Sequence, residues 1–293
     1  MKRYPAIAAA LLLAATPALA DSTRLGLDAD VLHDTNASRG LYDADRKADN
    51  ILAVEGSVTH SMVTGARSGA VFRGGARYSQ FTTFDDLSNL AVTGRAAWRT
   101  QPGTEFSSPI FEIAGNLVWL MHADSVIRDG TIATLEASLG SHVPDRVRLG
   151  VGAAYDQRDG GDPGRAGEVA IYDMKNTRLW GTLDYRIGEK STAYGRVMYV
   201  GGDQVFNSVT SGGFSGAWAT DPAFAKEFGR ATDSYRVEAA TFVYDVGLNL
   251  PLAGGHALDF LFSYYTSKAE EGSQTGNKYD GMLLRASYLY RFQ

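Results

Sequence analysis

The most constraining feature of this chain is an alternation of apolar and polar residues, with period two, recurring from Leu25 to Phe292. Successive side chains of an extended strand point to opposite faces, so such alternation gives each strand one apolar face and one polar face. In the first segment Leu25, Leu27, Ala29 and Val31 share one face, with Gly26, Asp28 and Asp30 on the other. The pattern returns at Leu52–Val58, Ala70–Tyr78, Leu90–Trp98, Phe111–Trp119, Ala133–Leu139 and Val147–Tyr155. It continues at Leu179–Tyr185, Ala193–Tyr199, Phe242–Leu248, Leu258–Tyr264 and Met282–Phe292.

The tally predicts about twelve strands of roughly ten residues, an even number of the kind that closes a bacterial membrane barrel. The connections differ in length. Those near 63–69, 100–108, 141–146, 188–191 and 250–256 are short, and those near 34–49, 156–176 and 201–233 are long and polar. Segments 82–88, 123–130 and 268–278 are intermediate. Short periplasmic turns and longer external loops are the arrangement of an outer-membrane barrel. A soluble β-sandwich also alternates. Against it, the apolar face persists on nearly every strand, aromatics gather at strand ends, and the other face carries Arg, Asp and Glu that a sandwich core would bury at high cost. The fold class expected is all-β: a transmembrane antiparallel up-and-down barrel.

Residues 1–20 read as a cleaved signal peptide, with Lys2 and Arg3, an apolar run from Ala6 to Ala15 and a small-x-small site at Ala18-Leu19-Ala20. The barrel domain is then 21–293. The chain has no Cys, which excludes disulfides and thiolate chemistry. With 28 Lys+Arg against 33 Asp+Glu it lacks the basic excess that nucleic acid would require.

If the polar face turns inward, Arg73, Arg77, Arg95 and Arg99 lie on two adjacent strands, and Arg178 and Arg186 join them among the pore-lining candidates with Glu112, Glu136 and Asp184. Arg offers a fixed fork of donors, so this set reads as a track for an anionic solute. The competing reading is cross-strand ion pairing that fills a narrow lumen. The four-Arg cluster is the most asymmetric part and carries the track reading.

The longest loop holds Val205, Phe206, Phe214, Trp218, Phe224 and Phe228 among Gly, Ser and Thr. A freely solvated loop has no use for so many large apolar groups, so it is expected to fold on itself or inward. Pro222–Phe228 reads as a short helical segment, and Phe214, Trp218, Phe224 and Phe228 are the candidate gate. The alternation breaks near Ala239-Ala240-Thr241, where a bulge or register adjustment is expected. His60, His122, His142 and His256 fit no metal-ligand spacing. Asp43, Asp45 and Asp49 read as solvated loop charge, with Ca²⁺ or lipopolysaccharide contact through divalent ions as the alternative.

Tyr288-Leu289-Tyr290-Arg291-Phe292 resembles the terminal strand signal of bacterial outer-membrane proteins, although Gln293 follows the Phe. That resemblance implies assembly by the barrel assembly machinery, with Tyr288, Tyr290 and Phe292 as the signal. His33-Asp34-Thr35-Asn36-Ala37 resembles the element closing the first strand in surface-lipoprotein assembly modifiers and polysaccharide-associated barrels. It is also similar to the His-Asp-Ser-Asn-Gly motif of outer-membrane phospholipase A, which would make His33 the base and put Thr35 in the nucleophile's place. A turn in which Asp34 and Asn36 bond the local backbone is the simpler reading.

The expectation is therefore a non-enzymatic, porin-like barrel of the Gram-negative outer membrane, surrounded by lipid and lipopolysaccharide and needing no cofactor. It would give a narrow gated route to small solutes, anionic or saccharide ones among them, or export a surface polymer. The alternatives are a lipid hydrolase and a closed barrel acting through its loops.

Overall fold

A computed structural model describes residues 22–40, 42, 45–143, 146–163, 168–208, 217–229, 232–270 and 278–292. The expected signal peptide and Gln293 lie outside the described residues. The strands are β1 (Ser22–Asp34), β2 (Asp49–Gly65), β3 (Ser68–Phe81), β4 (Asn89–Thr100), β5 (Ile110–His122), β6 (Gly130–Val143) and β7 (Val147–Gly160). They continue with β8 (Met174–Ile187), β9 (Ser191–Ser208), β10 (Ala217–Asp221), β11 (Thr232–Pro251), β12 (His256–Ala269) and β13 (Lys278–Phe292); among the described residues an α-helix, α1, spans Pro222–Phe228.

Every neighbouring pair is antiparallel and follows chain order, and β1 pairs with β13 with Leu25 opposite Phe292. Twelve strands thus close into an up-and-down barrel, with the short β10 as an extra. Closure leaves no free edge, which a bilayer demands because nothing there satisfies an unpaired backbone group. Each strand predicted from alternation is present.

Register settles which face is which. Outward residues such as Leu52, Val54, Leu135, Val246 and Leu284 are exposed, whereas inward Asp28, Asp30, Asp245 and Asp259 are buried. The outward band is apolar in its middle. It is flanked by Trp98, Phe111, Tyr185 and Phe292 near one rim and by Tyr78, Trp119 and Tyr244 toward the other, all exposed. Aromatic girdles flanking an apolar band are what the two lipid interfaces select. Among the described residues no helix is long and apolar enough to cross a membrane. The fold is that of a bacterial outer-membrane barrel.

Ser22, Phe292 and the short turns lie at one end; the connections after β1, β3, β5, β7, β9 and β12 leave from the other. β9 and β11 outgrow the wall and pair from Asn249↔Thr192 to Asp233↔Ser208. On its other side β11 pairs with β12 only from Pro251 to Ala239, and β10 takes the remaining edge from Arg236 to Thr232. Neither the bulge nor the register adjustment expected at Ala239–Thr241 is present: pairing with β9 passes through those residues without a shift. The alternation breaks there because β11 leaves the rim of the wall and changes neighbour. The distortion sits on the partner strand, at Gly202, with φ of 131°.

Candidate functional site: the barrel interior and its cap

The interior wall carries a belt of ion pairs. Arg73 meets Glu55 at 2.6 Å, and Arg77 meets Asp30 at 2.5 Å and Glu55 at 3.8 Å. Arg95 pairs with Glu112 and, at 3.3 Å, with Glu136, and it donates to Asn116 Oδ1 at 3.3 Å. Arg99 shares Glu112. Around the ring, Arg178 pairs with Asp156 (2.8 Å), Arg196 with Asp245 (2.7 Å) and Arg285 with Asp259 (2.9 Å), and Arg291 with Asp28. The four-Arg cluster therefore has carboxylates for every member, and the asymmetry expected from sequence is compensated by strands on both sides of it.

The belt remains wet. The side chains of Arg73 and Arg99 keep 41% and 54% of their surface accessible, while Asp30 keeps 5%. On the β7–β8 stretch nearest the short turns the pairing stops. Arg148 and Asp184 are direct neighbours across β7 and β8, yet neither they nor Arg186 enter an ion pair among the described residues.

The other end is covered. The chain after β9 runs through β10 into α1, and α1 packs on loops from the opposite side of the ring. Phe224 meets Phe84 of the β3–β4 loop edge-on at 5.2 Å, in a buried cluster with Ala37, Leu87 and Ala223, and Phe228 is 6.3 Å from Phe84. β11 and the β3–β4 connection are across the barrel from each other, so this strap spans the mouth. Of the candidate gate residues, Phe224 is fully buried, Phe228 half-buried and Trp218 exposed; Phe214 lies outside the described residues.

Asp221 latches the strap. Its carboxylate is fully buried, caps α1 through the Ala223 N–H at 3.0 Å, and accepts from Ser125 Oγ (3.1 Å), Arg128 Nε (2.7 Å) and Tyr172 Oη (3.1 Å). Arg128 stacks between the Tyr172 and Phe224 rings, at 4.9 and 5.0 Å. Burial alone would lower the Arg128 pKa, but Asp221 and Tyr172 beside it together more than offset this and hold it above its ordinary value. Burial pushes the Tyr172 phenol upward, so it stays a donor. At the far end of α1, Gly229 adopts the left-handed conformation, φ 65°, that a residue with a Cβ resists. Asp221, Ser125, Arg128 and Tyr172 were not singled out from sequence. The Asp-Pro pair, an N-cap residue before a proline at the first helical position, was the available signal for the first of them.

Asp49 builds the pedestal beneath Phe84. Its carboxylate accepts the N–H groups of Asn50 (2.7 Å), Thr82 (3.1 Å), Thr83 (2.8 Å) and Phe84 (2.9 Å), and the Thr82 hydroxyl at 2.7 Å. Asp49 is thus occupied with protein donors, Asp43 lies outside the described residues, and Asp45 is buried within its loop.

In the first-strand element, Asp34 accepts the Asn36 N–H at 2.9 Å and Asn36 accepts the Gly40 N–H at 2.9 Å, which is the turn arrangement. His33 faces outward, its Nδ1 2.9 Å from Asn50 Oδ1, while the Thr35 hydroxyl accepts the Met282 N–H at 2.8 Å. Tyr288, Tyr290 and Phe292 all point outward on β13, next to the seam with β1; His256 stacks on Tyr290 at 4.5 Å.

No protein-family model matches the chain, and no characterised sequence does. Among solved structures, an outer membrane channel from Pseudomonas putida F1 superposes with a TM-score of 0.60 at 10% identity, covering 95% of this chain and 97% of that one. The translocator domain of autotransporter NalP from Neisseria meningitidis gives 0.44 at 13% identity, with coverage of 98% and 93%. The KdgM porin in complex with disordered oligogalacturonate gives 0.45 at 8% identity, with coverage of 92% and 99%. The first of these likenesses bears on the fold: the chain folds as a closed outer-membrane β-barrel.

Proposed function

We propose that this barrel is a passive channel for small polar solutes, saccharide or anionic ones among them, with the β10–α1 strap as its gate. The observation that carries the reading is the wet ion-pair belt. A barrel serving only as a scaffold would fill its interior most cheaply with apolar side chains, since charges lose solvation when buried. Here paired charges line the wall and retain access to water, as a route for polar solutes needs. Pore-lining roles fall to Arg73, Arg77, Arg95, Arg99, Arg178, Arg186, Glu112, Glu136 and Asp184. Near-parity of charge on the wall favours size selection over strong ion selectivity.

The test is swelling of liposomes carrying the purified barrel, in iso-osmotic sugars of graded size. The reading expects swelling that falls steeply with solute size and rises when the strap is removed. No swelling with the smallest sugar, with and without the strap, would overturn it.

A lipid-hydrolase reading has the outward His33–Asn50 hydrogen bond in its favour. Against it, the Thr35 hydroxyl is engaged by the Met282 backbone instead of His33. Release of fatty acid from phospholipid in mixed micelles by the purified barrel would restore that reading.

A further inference from the structure

Trp180 is placed unlike the other tryptophans of this barrel. Trp98 and Trp119 point outward in the girdles and Trp218 sits on β10, whereas Trp180, on β8, points into the interior opposite Gly152 of β7. A Cβ on Gly152 would lie 2.2 Å from the indole, so only glycine lets the ring lie against the wall at this position. The indole lies over Gly152, and the residue is half-buried, so part of its surface remains accessible.

One row nearer the rim with the termini, Gly140 and Gly150 pair across β6 and β7, which leaves the wall bare of side chains. The Arg148 guanidinium leans over this bare row, with Nε and Nη2 each 3.5 Å from where a Gly140 Cβ would stand. Its direct neighbour on β8, Asp184, makes no ion pair with it. Two residues along a strand are ~7 Å, so the aromatic face and the unpaired guanidinium are about one sugar ring apart along the wall. On the other side of the indole, Arg178 is held by Asp156 at 2.8 Å.

We propose that Trp180 and Arg148 form a subsite for a hexuronic acid inside the barrel. The inference rests on the channel reading and deepens it. A pyranose presents one face of C–H groups and a rim of hydroxyls, and the C–H face stacks on an aromatic plane that is apolar yet adjoins water. The ring carboxylate then reaches the forked donors of Arg148, which suit it better than a point charge would. Thr182, on the same face of β8 between Trp180 and Asp184, adds a hydroxyl beside the bare row.

The experiment is calorimetric titration of the full barrel in detergent micelles with glucuronic acid and, separately, glucose. Wild type should bind the acid about tenfold more tightly than the neutral sugar. Arg148→Gln should bring the acid down to the affinity of glucose and leave glucose unchanged. Trp180→Leu should weaken both, and so should Gly152→Ala, which keeps the indole and pushes it off the wall; thermal melts report that each variant is folded. An unchanged acid-to-neutral ratio in Arg148→Gln, unchanged affinities in both Trp180→Leu and Gly152→Ala, or no binding of either sugar by wild type would overturn the subsite. Solute-dependent swelling without sugar binding would remove the subsite alone. Binding without swelling would retain it and remove the channel.

Discussion

Arg73 and Arg95 face each other directly across β3 and β4, yet their guanidinium groups are drawn apart by carboxylates on opposite flanks. Glu55 on β2 takes the first, and Glu112 on β5 with Glu136 on β6 takes the second. Like charges directly opposite in a sheet destabilise it. Here each member of the pair is instead held in an attractive contact, so the cluster ties β2 through β6 together along the wall.

Arg95→Gln should therefore lower the stability of the folded barrel by about 1–3 kcal/mol, below the cost of breaking a fully buried pair because water reaches this one. Arg95→Gln combined with Glu112→Gln should cost less than the sum of the single changes. Urea-driven unfolding of the four proteins of this cycle in one detergent measures the coupling; strict additivity would show that the pair contributes nothing.

Asp49→Ala should free the 82–88 loop. Removing a buried carboxylate that accepts backbone donors from Asn50, Thr82, Thr83 and Phe84 leaves those groups unsatisfied, at a cost of about 2 kcal/mol or more. The Phe84 support for α1 goes with it. Limited proteolysis of the reconstituted barrel should then cut at 82–88 and within 217–229 faster than in wild type; an unchanged cleavage pattern would mean that the loop holds without its anchor.

Protease added to intact cells should cut within 156–176 or 201–233 and spare the turns near 141–146 and 188–191. The two groups are at opposite ends of the barrel, so cleavage confined to the short turns would invert the orientation.

Deleting Phe292 and Gln293 should reduce the fraction of heat-modifiable, folded barrel in cells. Phe292 pairs with Leu25 at the closing seam and packs on Tyr290 at 4.5 Å. Undiminished folding yield would show that the terminal aromatics carry no assembly information.

The twelve wall strands were legible because lipid forces the same answer on each of them: an apolar residue at every second position or an exposed polar group in hydrocarbon. α1 was legible from Pro222 and the residues around it. The break at Ala239–Thr241 was visible, but its cause was not, since a strand that changes neighbour and a strand with a bulge perturb alternation alike. Long-range polar contacts were beyond reach. Asp221 bonds Ser125 and Arg128 from 96 and 93 residues away, and nothing local to any of them specifies the others. The compensation of Arg73, Arg77, Arg95 and Arg99 was likewise hidden, because it depends on which strands neighbour β3 and β4 and at what register.

The central claim is that the barrel conducts and that the Asp221 latch limits it. Single-channel currents in planar bilayers, from wild type and from Asp221→Asn, test both parts at once. Asn keeps the shape of the cap but withdraws the buried charge that pairs with half-buried Arg128, so the strap should loosen while the wall stays intact. The account predicts brief or small openings from wild type, and longer or larger ones from Asp221→Asn with the same ion selectivity. Folded, inserted barrels of both proteins that pass no current would contradict it.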